Sequence, residues 1–331
     1  MKRLVRELCF FSAAFVLLVF AAPSVLSEIA LIDVTVFAAM AMLALSMALV
    51  WGFGGILSFG QSAFFGLGGY SYAIGVLNLG DSTLPVLLGI VLPMVFAILL
   101  GYFMFYGRLG DIYLGVITLV VSLILYHLIN STSGGNYRIG VAPIGGYNGI
   151  PALPPINIPG YPDMPLSYSD TYSLTIGLLL IAYFGLRGFL ASHLGKTVIA
   201  IRENQERMEF LGYDVRARKL LVFAIAAGIA GLAGVLFANW GSFISPNVFS
   251  IGFTAQIIMW IMIGGLGTLI GPVIGSVCVQ SLVTWLGAQK IADTNLVLGV
   301  LFILFVMLVP KGLIPAIRDL LTRLRVFEFT D

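Results

Sequence analysis

Trp51-Gly-Phe-Gly-Gly-Ile-Leu-Ser-Phe-Gly-Gln-Ser-Ala-Phe-Phe-Gly-Leu-Gly-Gly-Tyr70 is the stretch that decides how this chain folds. It holds seven glycines in twenty residues, a density at which a helix either breaks or lets another backbone come very close. Long apolar runs flank it, which puts the break inside a membrane, where interrupted backbone survives only if it lines a cavity or is buried in protein. Ser58, Gln61, Ser62 and Tyr70 are its polar side chains. An unpartnered amide or hydroxyl in hydrocarbon costs roughly 4–8 kcal/mol by alkane transfer. These groups therefore face a pathway for a small polar solute or bond to a neighbouring helix, and the sequence leaves both readings open.

Composition agrees with a lipid solvent. Of 331 residues 60% are hydrophobic and 10% charged, too few charges to coat a water-soluble globule of this size. Disordered, collagen-like and disulfide-scaffold classes fall with the same figures. Cys9 and Cys278 sit in apolar runs without metal-ligand spacing, and no basic block suggests nucleic acid.

A spanning helix needs roughly 20 mostly apolar residues. Ten segments qualify, near residues 8–26, 29–51, 57–77, 84–106, 112–129, 172–189, 220–240, 251–270, 271–287 and 295–309. The count falls to eight or nine if the glycine-rich third, eighth and ninth do not all span. Ten spans put fifteen of the seventeen Lys and Arg residues on one side, which by the positive-inside rule is the cytoplasm and holds both termini. The first segment has a basic start and the small residues Ala21, Ala22 and Ser27, which also suit a cleaved signal; cleavage would leave an odd count. The expectation is one all-α polytopic domain over residues 1–331.

Two segments lie outside the spans. Residues 132–170 carry seven of the 14 prolines and the turn-forming run Gly145-Gly-Tyr-Asn-Gly149, an external loop that either docks a soluble partner or covers the outer mouth. Residues 192–219 form a cytoplasmic segment whose apolar Val198, Ile201, Met208 and Leu211 share a stripe while Arg202, Glu203, Glu206, Arg207 and Glu209 lie elsewhere. Gly212 closes it. An apolar stripe in water needs a partner: the protein's own face, the lipid surface or another subunit. Gly195-Lys196-Thr197 invites a phosphate-loop reading, but the first glycine of that motif would fall at Leu190, and a membrane helix precedes it where the motif needs a strand.

An ion-coupled carrier holds buried carboxylates. Here the acidic residues fall near the span ends, and His127 is the one imidazole in a span. No paired acids or nucleophile and base mark an intramembrane enzyme. A second glycine-rich run, Trp260-Ile-Met-Ile-Gly-Gly-Leu-Gly-Thr-Leu-Ile-Gly-Pro-Val-Ile-Gly275, also sets Gly-Gly after a tryptophan and hints at two related halves. Its Gly267, Gly271 and Gly275 have the four-residue spacing of close helix contact.

On these residues the chain resembles the permeases of ABC importers for branched-chain amino acids and their relatives for urea and short amides. The likeness runs from about Val34 to Pro315 and rests on Gly54 to Tyr70, Ala200-Ile-Arg-Glu-Asn204, Leu211-Gly-Tyr213, Ala230-Gly-Leu-Ala-Gly234, Ser245-Pro246, Gly264 to Pro272 and Pro310-Lys-Gly-Leu313. It implies a bacterial inner-membrane heterodimer with a related second permease, two cytoplasmic ATP-binding subunits and a periplasmic or extracellular substrate-binding protein. No cofactor and no ATPase site on this chain are implied. It casts Arg202, Glu203, Asn204 and Gly212 as the segment that couples to the ATPase, while Ser58, Gln61, Ser62 and Tyr70 stay the candidate pathway residues that their polarity in the glycine-rich run suggests. Val309-Pro-Lys-Gly312 stands where branched-chain permeases commonly carry Arg-Pro-Gln-Gly, which leaves the urea-type alternative open.

Overall fold

The computed structural model describes residues 18–19, 22–134, 137–289, 294–308 and 312–316. Most of the 8–26 segment, Cys9 and the basic residues of both ends lie outside them. The described chain is a helical bundle with two small hairpins on one face.

Helix α1 (Glu28–Met47) is capped by the Ser27 hydroxyl, which accepts from Ala30 N at 3.3 Å. It continues as a π-turn over Ala48–Phe53. After an irregular stretch come α2 (Gln61–Leu79), α3 (Thr83–Tyr106) and α4 (Asp111–Ser131). The hairpin face follows, with β1 (Arg138–Ile139) paired to β2 (Ala142–Pro143) and β3 (Asn157–Ile158) to β4 (Tyr161–Pro165), both antiparallel. Helix α5 (Tyr168–Ala191) starts at a capping box of Ser167 and Asp170 and returns to the opposite face, which carries Arg187, Lys196, Arg202, Arg207, Arg216 and Arg218 and is called the basic face below. There lie the short α6 (His193–Glu203) and α7 (Gln205–Phe210). Three apolar helices follow: α8 (Val215–Gly241), α9 (Ile251–Gly264) and α10 (Ile270–Gln289). Helix α11 is Thr294–Leu308.

Helices α1 and α8 form the centre, and α3, α4 and α5 turn broad apolar faces outward. Lipid tails are as apolar as leucine, so helix association here depends on close packing of small residues. A Cβ on Gly68 of α2 would fall on Gly231 of α8, one on Gly231 on the Gly89 carbonyl of α3, and one on Gly234 on the Phe65 carbonyl. Those glycines let α2, α3 and α8 pack backbone to backbone. The aromatic rings of Phe64 and Phe223 fill the space beside them, edge to face at 5.2 Å.

Six helical stretches are long and apolar enough to cross a membrane among the described residues: 28–53, 83–106, 111–131, 168–191, 215–241 and 270–287. Two segments differ from the sequence expectation. The third becomes helical only at Gln61, because Gly54 to Gly60 bridge back into the bundle as irregular chain, and the polar, glycine-rich α2 is buried along most of its length. The eighth ends at Gly264 after 14 residues, because Ser245-Pro246 holds the preceding chain in a short 3-10 turn and Gly265 (φ 109) closes it.

Candidate functional site

The two glycine-rich runs are both helix breaks, and both lie at the basic face. At the first, the π-turn displaces the backbone ladder: Gly54 N bonds Leu49 O at 2.9 Å and Ile56 N bonds Val50 O at 3.0 Å. In an α-helix Ile56 N would serve Gly52 O, so that carbonyl is released. Arg202 of α6 takes it, donating from Nη1 at 2.6 Å. Gly55, at φ 66, permits the sharp turn. Further along, Phe59 N bonds Thr118 Oγ1 at 2.9 Å and Gly60 N bonds Ser58 Oγ at 3.2 Å.

From there α2 starts within the bundle. Gln61 Oε1 accepts from Ser46 Oγ at 3.2 Å, and Ser46 lies seven residues, about 10 Å of helix, above the end of the π-turn. Ser62 Oγ lies 3.2 Å from Ser122 Oγ of α4 and 2.8 Å from Thr254 Oγ1 of α9. A buried, uncharged polar seam thus joins α1, α2, α4 and α9 through Ser46, Ser58, Gln61, Ser62, Thr118, Ser122 and Thr254. Gln61 Nε2 finds no partner among the described residues. The structure brings Ser58, Gln61 and Ser62 together and leaves Tyr70 apart. Tyr70 lies more than two turns further along α2, stacked on Phe249 at 5.7 Å. Thr118, Ser122 and Thr254 are the seam partners; Thr118 and Ser122 are polar groups four residues apart in the fifth apolar segment.

The second break is a tight turn. Gly265 N bonds Ile261 O at 2.8 Å, Thr268 Oγ1 donates to Gly265 O at 3.1 Å, and Gly271 N donates back to Thr268 Oγ1 at 3.2 Å. Cβ atoms on Gly264 and Gly275 would fall on the Gly271 and Trp260 carbonyls, so α9 and α10 cross at van der Waals contact. Gly267 takes no part in that crossing: it lies in the turn at φ 83, outside α10.

The basic-face segment is well anchored. Ser192 caps α6 through Gly195 N at 3.3 Å. Asn204, in extended conformation, breaks the helix and caps α7 through Arg207 N at 2.8 Å. Ile201, Met208 and Val215 form a small core with Ala200 and Tyr213. Lys219 Nζ donates to Gln205 Oε1 at 2.7 Å and approaches Asp111 at 4.0 Å. Gly212 ends the segment at φ 84, and Glu203 is exposed. Arg202 points back toward the first break. The tip carries an apolar pair that the stripe analysis missed: Phe210 is 90% exposed and Leu211 65%. Two adjacent apolar residues before Gly212 were the signal; the stripe misplaced Leu211 because Asn204 resets the helical period.

On the opposite face, three asparagines strap the hairpins to helix ends. Asn78 of α2 donates to Ile139 O and accepts from Val141 N, both at 2.9 Å. Asn157 accepts from Ser82 N at 2.7 Å, and Asn239 of α8 accepts from Ile156 N at 2.8 Å. Asn157 also donates to Asp81 Oδ1 at 2.7 Å, which with the Thr83 bonds holds that carboxyl below its ordinary 3.8.

The family described as branched-chain amino acid transport system, permease component, matches residues 29–309. The chain belongs to this family. The matched span takes in both breaks, the seam, the hairpin face and the whole basic-face segment. The chain is 27% identical over 311 residues to the high-affinity branched-chain amino acid transport system permease protein LivM of Escherichia coli (strain K12), covering 83% of this chain and 68% of that protein. The probable branched-chain amino acid transport permease protein LivM of Methanocaldococcus jannaschii is 24% identical over 295 residues, 79% of this chain and 81% of that one. A shorter likeness, 25% over 143 residues, links 40% of the chain to 43% of the inner membrane ABC transporter permease protein YjfF of Escherichia coli. No solved structure shows a significant match. With its apolar helices, family membership makes this a multi-pass membrane permease component.

Proposed function

We propose that the chain is one of two permeases in an ATP-driven importer that takes up branched-chain amino acids delivered by a soluble binding protein. It crosses the inner membrane about ten times, with both termini on the cytoplasmic side, and its two glycine-rich breaks belong to two related halves. ATP is hydrolysed by two partner subunits. The seam beginning at Ser58, Gln61 and Ser62 offers hydroxyls and amides but no fixed charge, which suits transient passage of a zwitterion better than tight retention. The strapped hairpin face is the surface the binding protein meets.

One observation carries the reading: the Phe210-Leu211 tip, exposed at the end of a segment whose own core is closed. An apolar knob of this kind, in a segment that also exposes Glu203, Glu206 and Arg207, fits a groove in a soluble ATPase subunit. The test is Phe210→Glu in a chain co-expressed with its partners. Co-purification of the ATP-binding subunits should fall at least tenfold, about 1.4 kcal/mol or more, and Phe210→Leu should retain it. Unchanged co-purification and ATP hydrolysis in the glutamate variant would reject this docking site.

A further inference from the structure

Arg202 stands among the exposed charged residues of the basic-face segment, yet one arm of its guanidinium reaches back to the first break. Its Nη1 donates to Gly52 O, the carbonyl released by the π-turn. Its alkyl stem lies on Gly55, where an added Cβ would come 2.7 Å from Arg202 Cγ. The second break meets the first at the same place: a Cβ on Gly52 would lie 3.4 Å from Gly267 N, and one on Gly267 3.8 Å from Arg202 Nη1. One side chain therefore touches the first break directly and borders the second, from a helix that belongs to neither.

We infer that Arg202 is a positioning residue, a strut that ties α6 to the end of α1 and so delivers movement of the basic-face segment to the first break and the seam above it. A backbone carbonyl bonded by a guanidinium forms a charge-assisted contact, about twice as strong as a neutral one, and the alternative for Gly52 O is a released, unpaired acceptor. The glycine at position 55 leaves room for the stem. Phe210 and Leu211 make the outward contact and Arg202 the inward one, so docking and transmission reside in different side chains. This assignment rests on the permease reading.

The test uses the complete complex in sealed vesicles, with ATP hydrolysis and uptake of radiolabelled leucine measured in the same preparation. Arg202→Ala should leave assembly and hydrolysis within about twofold while leucine moved per ATP falls about tenfold or more. Arg202→Lys, which keeps a cation and most of the stem, should recover part of the loss. Gly55→Ala should reproduce it by displacing the stem, and the double variant should be no worse than either single one, because both break the same contact. Unchanged leucine per ATP in Arg202→Ala, or a loss of hydrolysis in proportion to uptake, overturns the strut. If Arg202→Ala does not assemble, hydrogen exchange on the unmodified complex decides: the amides of Gly54 and Ile56 should change with nucleotide state together with those of α6, and independent exchange overturns the inference. A complex that hydrolyses ATP but moves no leucine, while those amides still change together, would fail the permease reading and leave the strut standing.

Discussion

The two helix breaks have similar compositions and are held in opposite ways. At the first, the displaced backbone groups are satisfied by side chains from distant elements, Arg202 for Gly52 O and Thr118 for Phe59 N. At the second, Gly265, Thr268 and Gly271 satisfy one another within seven residues, and the flanking helices are locked by glycine contact. A break held by distant donors moves when its donors move. A break that closes on itself behaves as a rigid corner. On the strut proposal, the first break is the joint that moves and the second the corner that stays fixed.

Overpacking probes the fixed corner hardest. Gly275→Leu pushes a side chain into the Trp260 carbonyl and should cost about 3 kcal/mol, read as a fall in the thermal midpoint of the detergent-solubilised protein; a stable variant would show that the second break is not held by contact. Next comes Thr118→Val, which leaves the buried Phe59 N–H without its acceptor and should cost about 2 kcal/mol, whereas Thr118→Ser should stay within about 0.5 kcal/mol. Thr268→Ala removes only a local cap and should cost about 1 kcal/mol. If Thr268→Ala proves as damaging as Thr118→Val, the two breaks do not differ in the way described.

Acid should have the smallest effect, and on neither break. Asp81, on the hairpin face, has its pKa lowered by the Asn157 amide, so its carboxylate stabilises the fold above 3.8 and that contribution is lost as pH falls through the lower folded value. Asp81→Asn should lower the thermal midpoint slightly near neutral pH and remove the decline below about pH 4. Midpoints measured from about pH 3 to pH 7 would expose a decline that survives the substitution.

Lipid-facing helices were legible in the sequence because 20-residue apolar runs have few other uses, and α3, α4, α5 and α8 lie close to their expected bounds. The site was legible in place but not in geometry. Glycine density located both breaks, yet nothing in one-dimensional spacing tells a seven-residue re-entrant stretch from a tight turn. That difference lies in Thr118 and Arg202, 59 and 150 residues away from their partners. The sequence places Arg202 off the apolar stripe of the basic-face segment, where a charged residue ordinarily seeks water. Its inward turn depends on a carbonyl that becomes available only once the π-turn has formed.

The asparagine straps have a practical consequence for tagging the protein. A loop pinned at Asn78, Asn157 and Asn239 offers a protease little slack and a genetic insertion few harmless sites. Gly160, at the turn between β3 and β4, is an open site: at φ 82 it has no atom within 4 Å of where a side chain would stand. An epitope placed there should leave all three straps intact and give a label on the hairpin face, accessible in whole cells if that face lies outside.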